Sequence, residues 1–384
     1  MAERIFLDWF DLKGNLTLIL DVSFVKRLAA LIRSRYVQTA FDKKVGTIGL
    51  YARFRDANPR IKVWQLKRVL AELQIDFAEA PDYILFLGRN KSLKMQFPYK
   101  ISPLWGQLLG HAFFDGYADE HMLRYSNYDL GLRKEFSTIA KKVGFAKMNV
   151  PQNYLRDIDL PETAPKLLCS IFGVETFYSG KCRIPKKFFK IVEKDEAFGW
   201  HFLRAAFLDE GTITSGQIWI VRGIVNEKLV GDLVLLCKQM GLASRVQETT
   251  KEMSHSVGIT SDSFERFYLG ICNISKSRTK KILRLQKKLL LHREAKKKIS
   301  KVRSDCEDIL DYLERHRSIR NPQVRKLCGI SDLAAFFRLK LLVDIGNIKR
   351  VGSCRRQIYY VLSSKCLPEV FPKINDVRRS NGWR

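Results

Sequence analysis

Two apolar stretches of the 384-residue chain end on acids followed by glycine: "LLGHAFFDG" at residues 108–116 and "LRAAFLDEG" at residues 203–211. Each reads as a buried helix, yet its last residues are the least suited to burial. A carboxylate is costly to desolvate unless it is paired or bound to a cation, and an acid at a helix C-terminus also opposes the helix dipole. Asp115 and Glu210, with Asp209 beside the latter, are therefore carboxylates held beside something that wants negative charge.

The elements that must position them recur. Glu210 follows Asp115 by 95 residues, and helical patterns closed by Gly144 and Gly241 follow the two acids at nearly the same offset. "GKCR" and "SKSR" return to 95, aligning Lys181 with Lys276 and Arg183 with Arg278. Each copy reads helix, glycine stop, two short strands, helix, strand, with a further strand and helix to close it. In the second copy Ser215-Gly216 marks the hairpin turn. In "QIWIVRGI" alternation sets Gln217, Trp219 and Val221 on one face and Ile218, Ile220 and Arg222 on the other, and with the isoleucines inward Arg222 contradicts a clean pattern. The fold class expected is α+β: two pseudo-symmetric αββαββα-type repeats between a small helical N-terminal domain and a C-terminal winged helix.

These acid–glycine nonapeptides resemble those of the LAGLIDADG homing-endonuclease family in its single-chain, two-repeat form. The resemblance covers roughly residues 101 to 298 and includes the "IP" segment of "GKCRIPKKFFK". It implies two helices crossing at Gly110 and Ala205, so that Asp115 and Glu210 meet at the bottom of a groove and share a divalent cation, Mg²⁺. It also implies metal-dependent phosphodiester hydrolysis at a long asymmetric double-stranded DNA site, with the repeats' sheets forming a DNA-binding saddle over the major groove and a lysine near each acid. Lys181 and Lys276 stand at the lysine positions, the second with Lys280 or Lys281 as alternatives. Phe114 and Asp209 depart from the family pattern, standing where a small residue is usual; Phe114 would hold the acids apart, and Asp209 is an alternative ligand.

The flanks offer further DNA contacts. Residues 1–80 resemble a helix-turn-helix, with Gly46 in a tight turn, Thr47 capping the next helix, and "TIGLYARFRD" presenting Arg53 and Arg55. Residues 304–364 resemble a winged helix, with Arg338 and Lys340 on the recognition helix and Lys349, Arg350, Arg355 and Arg356 on the wing. The repeats then occupy residues 101–193 and 194–298, and a basic tail occupies 365–384. Ile282, Leu285 and Leu289 form the apolar face of a basic helix joining repeat to wing; Arg124 and Arg222 are candidate strand contacts.

Composition agrees with a polyanion partner. Sixty-eight Lys and Arg against 40 Asp and Glu give a net charge of +28, which attracts DNA, structured RNA or an anionic membrane surface. No window is apolar enough for a membrane span or a signal peptide, and the eight cysteines have no zinc-ligand spacing. The expectation is a soluble, cytoplasmic, DNA-associated monomer with reduced thiols. A regulator that kept the saddle and lost the chemistry, and an intron RNA maturase, are the rival readings.

Overall fold

The computed structural model describes residues 5–88, 93–119, 121–145, 148, 157–249, 253–274, 279–352 and 358–363. Lys276, Arg355, Arg356 and the basic tail lie outside the described residues. The chain forms two compact units, Met1–Lys287 and Lys288–Arg384.

The first unit opens with β1 (Phe6–Leu7), β2 (Thr17–Leu20), α1 (Val22–Arg35), α2 (Gln38–Val45), α3 (Leu50–Arg55), β3 (Arg60–Lys62), α4 (Val63–Leu73), β4 (Ile84–Leu87) and β5 (Tyr99–Lys100). Strands β3, β2 and β4 make one antiparallel sheet in that order, and β1 pairs with β5. This corrects the all-helical domain expected over residues 1–80. The apolar run "TLIL" is buried on both faces as β2, and Asp21 then caps α1 by accepting the Ser23 and Phe24 N–H groups. Nor is residue 80 a boundary, since one apolar core runs from Leu7 to Leu285.

The turn before α3 also differs from expectation. Gly46 does close α2 in the left-handed region, but Gly49 is the N-cap of α3 and the Asp42 carboxylate accepts the N–H groups of Gly49 and Tyr51 at 2.8 and 3.1 Å. Thr47 caps nothing; its hydroxyl is buried without a partner. Helix α3 has six residues and buries Leu50, Tyr51 and Phe54.

Next come α5 (Leu104–Phe114), β6 (Gly116–Ala118), β7 (Met122–Ser126), α6 (Leu130–Lys142), β8 (Asp157–Pro161) and α7 (Thr163–Phe172). After α8 (Lys186–Lys194) follow α9 (Ala197–Glu210), β9 (Thr212–Ile213), β10 (Ile218–Ile224), α10 (Glu227–Gln239), β11 (Ser244–Thr249), β12 (Ser254–Ile259) and α11 (Phe264–Cys272). The first sheet has the antiparallel order β6-β7-β8 and the second the order β11-β12-β10-β9. Helices α6 and α10 pack against their own sheets. The hairpin at Ser215-Gly216 is present, closed by the Thr214 N–H donating to the Gln217 carbonyl at 2.9 Å.

Strand β10 does not alternate strictly. Its register against β12 shifts between Trp219 and Val221 and again between Val221 and Ile224, where Gly223 has φ +79°. The first shift brings Val221 opposite Val257, so Ile218 through Val221 are all buried, and the second leaves Arg222 exposed.

Helix α12 (Lys280–His316) carries the chain into the second unit without a break. The boundary expected at 298 to 304 falls inside it, because the stretch is rich in Lys, Leu, Arg and Glu and holds no Gly or Pro. Ile282, Leu285 and Leu289 are buried, as their spacing implied. Then follow α13 (Asn321–Cys328), α14 (Asp332–Ile345), β13 (Ile348–Val351) and β14 (Tyr359–Leu362), with β13 and β14 antiparallel and Ile319 bridged to Tyr360. Gly329 and Gly346 close α13 and α14 in left-handed conformations. The second unit has its own core around Ile309, Leu313, Leu339 and Leu342.

Candidate functional site at the crossing of two helices

Helices α5 and α9 make the most extensive helix–helix packing among the described residues, and glycine makes it possible. A Cβ on Gly106 would stand 2.8 Å from the Phe198 carbonyl oxygen; one on Gly110 would stand 2.6 Å from the Ala205 Cβ and 2.9 Å from the Phe202 oxygen. The Gly110–Ala205 contact implied by the sequence is therefore the point of closest approach. The glycines after the acids serve the same economy of space: a Cβ on Gly116 would strike Ala112 Cα at 2.6 Å, and one on Gly211 would strike the Phe207 backbone. Phe114, whose size had suggested that it would hold the acids apart, packs against the second helix. It is half-buried and meets Phe202 edge-on at a centroid distance of 5.9 Å.

The helix pair encloses a buried polar column. Fully buried Arg204 donates to both Glu135 oxygens at 2.7 and 3.0 Å and to the Ile271 carbonyl at 2.8 Å. The Gln107 amide also donates to Glu135, at 3.0 Å, while its oxygen lies 3.0 Å from His201 Nδ1. Burial would raise the Glu135 carboxyl, but the Arg204 hydrogen bonds and charge outweigh it and hold the group below its usual range. Burial and then the Arg204 charge push His201 down to about 4.

Nearer the acids, Asp209 is drawn inward. Its side chain is 0% exposed, with one oxygen 2.8 Å from His111 Nδ1 and the other accepting the Tyr125 hydroxyl at 2.9 Å. Burial works against a charged His111, yet the Asp209 carboxylate outweighs it and raises the imidazole above its ordinary value. Asp209 is thereby committed to a packing role and is no alternative to Glu210.

Asp115 and Glu210 remain half-buried at the helix ends. Burial, and then the charge of Asp209 with a further share from Glu210, pushes Asp115 up to about 7, against an opposing hydrogen bond from the Asn127 amide. Burial and Asp209 likewise raise Glu210, opposed by the Lys281 charge. The Lys281 ammonium donates to the carbonyls of Leu208 at 2.6 Å, Asp209 at 2.9 Å and, more distantly, Phe207 at 3.5 Å. An ammonium has three N–H donors, so these carbonyls at the end of α9 use its full complement. Desolvation lowers its pKa, while the charges of Asp209, Asp115 and Glu210 oppose that drop.

The other expected residues fall elsewhere. Lys181 is exposed, and no hydrogen bond or ion pair joins its side chain to either acid among the described residues; Lys281, an alternative weighed for the second copy, lies beside the acids. Arg124 is bound in a bidentate pair to Asp159 across β7 and β8 at 2.7 and 3.0 Å. Arg55 pairs with its neighbour Asp56 at 3.0 Å, and Arg53 is half-buried. Arg338, expected to face DNA, is 17% exposed and its Nε lies 3.1 Å from the fully buried Asp305. Its chemistry is that of a core ion pair. Arg222, Lys340, Lys349 and Arg350 are exposed.

Gln107, His111, His201 and Arg204 are site residues that the sequence did not single out. A signal was present, since polar residues four and three apart interrupt two otherwise apolar helices on one face each. Their partners Glu135 and Tyr125 come from other elements and left no such mark. Among the described residues, no three His, Cys, Asp or Glu side chains converge into a metal-ligand group. Two hard oxygen donors, both raised by burial and negative neighbours, nonetheless suit a hard divalent cation that keeps waters and takes further oxygens from a substrate phosphate.

No family model matches the chain, and no match emerges among characterised proteins. Among solved structures it is similar to the N-terminal LAGLIDADG domain of DUF199/WhiA, with 15% identity over 44% of this chain and 82% of that one at a TM-score of 0.31. It is also similar to mesophilic variants of the homing endonuclease I-DmoI, with 11% identity over 44% of this chain and 96% of that one at a TM-score of 0.33. I-DmoI in complex with DNA and Mn gives 11% identity, the same coverages and a TM-score of 0.34. Similarity at this depth carries no functional weight by itself.

Proposed function

We propose that the protein is a LAGLIDADG-type, site-specific double-stranded DNA endonuclease, acting as a monomer through metal-dependent phosphodiester hydrolysis. The observation that carries this reading is the glycine-mediated crossing of α5 and α9, which ends in two half-buried acids, Asp115 and Glu210, that share a negative environment with Lys281 as its counter-charge. In this reading α5 through α7 and α9 through α11 are two related halves, their sheets form a saddle over the duplex, and the second unit is a winged helix.

Asp115 and Glu210 would hold the divalent ion, Mg²⁺ in the simplest case, which when bound supplies Lewis acidity to water and to the scissile phosphate. The chain's own residues set the geometry. Asn127 orients Asp115, the Gly110–Ala205 contact fixes the approach of the two helix ends, and Lys281 offsets the charge of the acids. Exposed cations such as Arg222, Lys340, Lys349 and Arg350 neutralise DNA phosphates, the sequence-independent part of binding.

The rival reading is a regulator that binds the same DNA without cutting it, and in either reading Arg124 is taken up within the protein. Asp157 and Asp159 on β8 accept bonds from Ser126 and Arg124 on β7, so this part of the first sheet spends its cation internally. A plasmid library carrying the gene's own genomic flanks separates the readings. Nicking or double-strand cleavage with Mg²⁺ that is abolished by EDTA and by Asp115→Asn with Glu210→Gln is the expected result. Tight binding of the same DNA without cutting, unchanged in that variant, would establish the regulator.

A further inference from the structure

A cavity of about 300 Å³ opens in the first unit between β1, the chain after β5, α7 and α8. Leu7, Ile101, Ile171 and Ile191, all buried, make its floor. Lys187, Lys190 and Lys194 line one side of it. They sit at i, i+3 and i+7 on α8, so one helix face carries all three. Phe6, 48% exposed, also lines the cavity, and among the described residues Asp11 is the acid that does. None of these residues takes part in the acid site or in the buried polar column.

We propose that this cavity binds a small amphiphilic anion, its apolar tail on the isoleucine floor and its anionic head against the α8 lysines. The volume is at the lower end of small-molecule sites. At roughly 30 Å³ per atom-sized unit, the share of a liquid water, it accepts about ten non-hydrogen atoms. The floor removes apolar area from water, which favours a hydrocarbon or aromatic body. The ammonium groups of Lys187 and Lys190, both exposed at the cavity side, favour a negative head and disfavour a cationic one. Lys187 is held in place by donating to the Ser170 carbonyl at 3.0 Å, and an ammonium so bound keeps two further donors. A duplex backbone, which is polar along its whole length, has nothing to place on an isoleucine floor. The inference therefore stands independently of the endonuclease reading.

Octanoate, with ten non-hydrogen atoms, and octyl phosphate present the two head groups that share this chemistry; octanol is the neutral control. Binding of each to the full chain is followed by ligand-observed saturation-transfer NMR. Saturable octanoate or octyl phosphate binding is expected, about tenfold tighter than that of octanol; the tighter of the two anions identifies the head group. Lys187→Glu with Lys190→Glu, both exposed, should weaken the anions about tenfold or more, as expected for removing two exposed charge pairs worth up to roughly 1 kcal/mol each. Octanol binding should not change in that variant. Ile101→Trp, which fills the floor, should weaken all three ligands, and a cooperative thermal melt shows that each variant is folded. Equal affinity for octanol and octanoate, anion binding unmoved by the charge reversal, or no saturable binding of either anion would overturn the proposal.

Discussion

Asp115 holds its proton near pH 7, far above the 3.8 of an ordinary aspartate. Between those values the folded chain carries a proton that the unfolded chain has lost, so stability falls as pH rises through that window. His111, also raised, acts in the same direction: its charged form stabilises at low pH, and that share is lost as pH climbs past its folded value. In EDTA, the melting temperature should therefore drop from pH 5 to pH 8, and Asp115→Asn should flatten the drop without removing it; an identical profile in the variant would mean that Asp115 is not the group responsible. Lys281 makes a second test. If it caps α9, Lys281→Met should speed hydrogen exchange in a peptide covering residues 204–213 and Lys281→Arg should restore protection, whether or not the protein cuts DNA. Loss of cleavage with unchanged exchange would instead make the ammonium a participant in the reaction. Asp115 and Glu210 were legible because an acid and a glycine at the end of an apolar helix are a local pattern. The burial of Asp209 was not, because its partner His111 lies 98 residues away. A 95-residue offset pointed to Lys276, which lies outside the described residues, and the path of the chain into α12 puts Lys281, one of its alternatives, beside the acids.

Helices α5 and α9 are held by close approach and a buried ion pair ties α9 to α6, and the two can be tested separately. Gly110→Ala must part the helices or shift Ala205, at a cost of about 1–3 kcal/mol for overpacking. Gly231→Ala in α10 meets nothing within 4 Å and should stabilise by roughly 0.5–1 kcal/mol, since alanine is the better helix former. Urea unfolding of the pair isolates the crossing from helix propensity; destabilisation of the same size in both would show that close approach is not the cause. Arg204→Met leaves Glu135 charged and buried beside the Gln107 amide donor alone, and should cost about 3–5 kcal/mol by the same measurement. At this scale the periodic helices were readable, as Ile282, Leu285 and Leu289 show. The N-terminal sheet was not: "TLIL" and "ILFL" are short apolar runs, and such runs do not distinguish a buried strand from part of a buried helix. The bulges in β10 were equally hidden, because a register shift depends on the partner strand.

In the proposed reading, a net charge of +28 across the whole molecule sets how DNA is met. A protein that neutralises six to ten phosphates loses roughly 10³- to 10⁵-fold in affinity between 50 and 200 mM salt, and a slope of that steepness is expected for a duplex carrying the target site. The second unit's share can be read from the same slope. Lys340, Lys349 and Arg350 are exposed, whereas Arg338 is spent on the buried Asp305. If the unit rides on phosphates, changing the three exposed residues to Gln should flatten the slope of log K against log salt by about 0.9 for each phosphate no longer neutralised. Arg338→Gln should leave the slope alone and lower the melting temperature, because it strips a carboxylate with 0% exposure of a partner. A slope unmoved by the triple change would turn attention to another property of the same helix. Leu333 and Phe336 on α14 are 65% and 45% exposed, an apolar face of the kind that marks contact with protein. The second unit would then recruit a partner, and DNA binding would fall to the first unit alone.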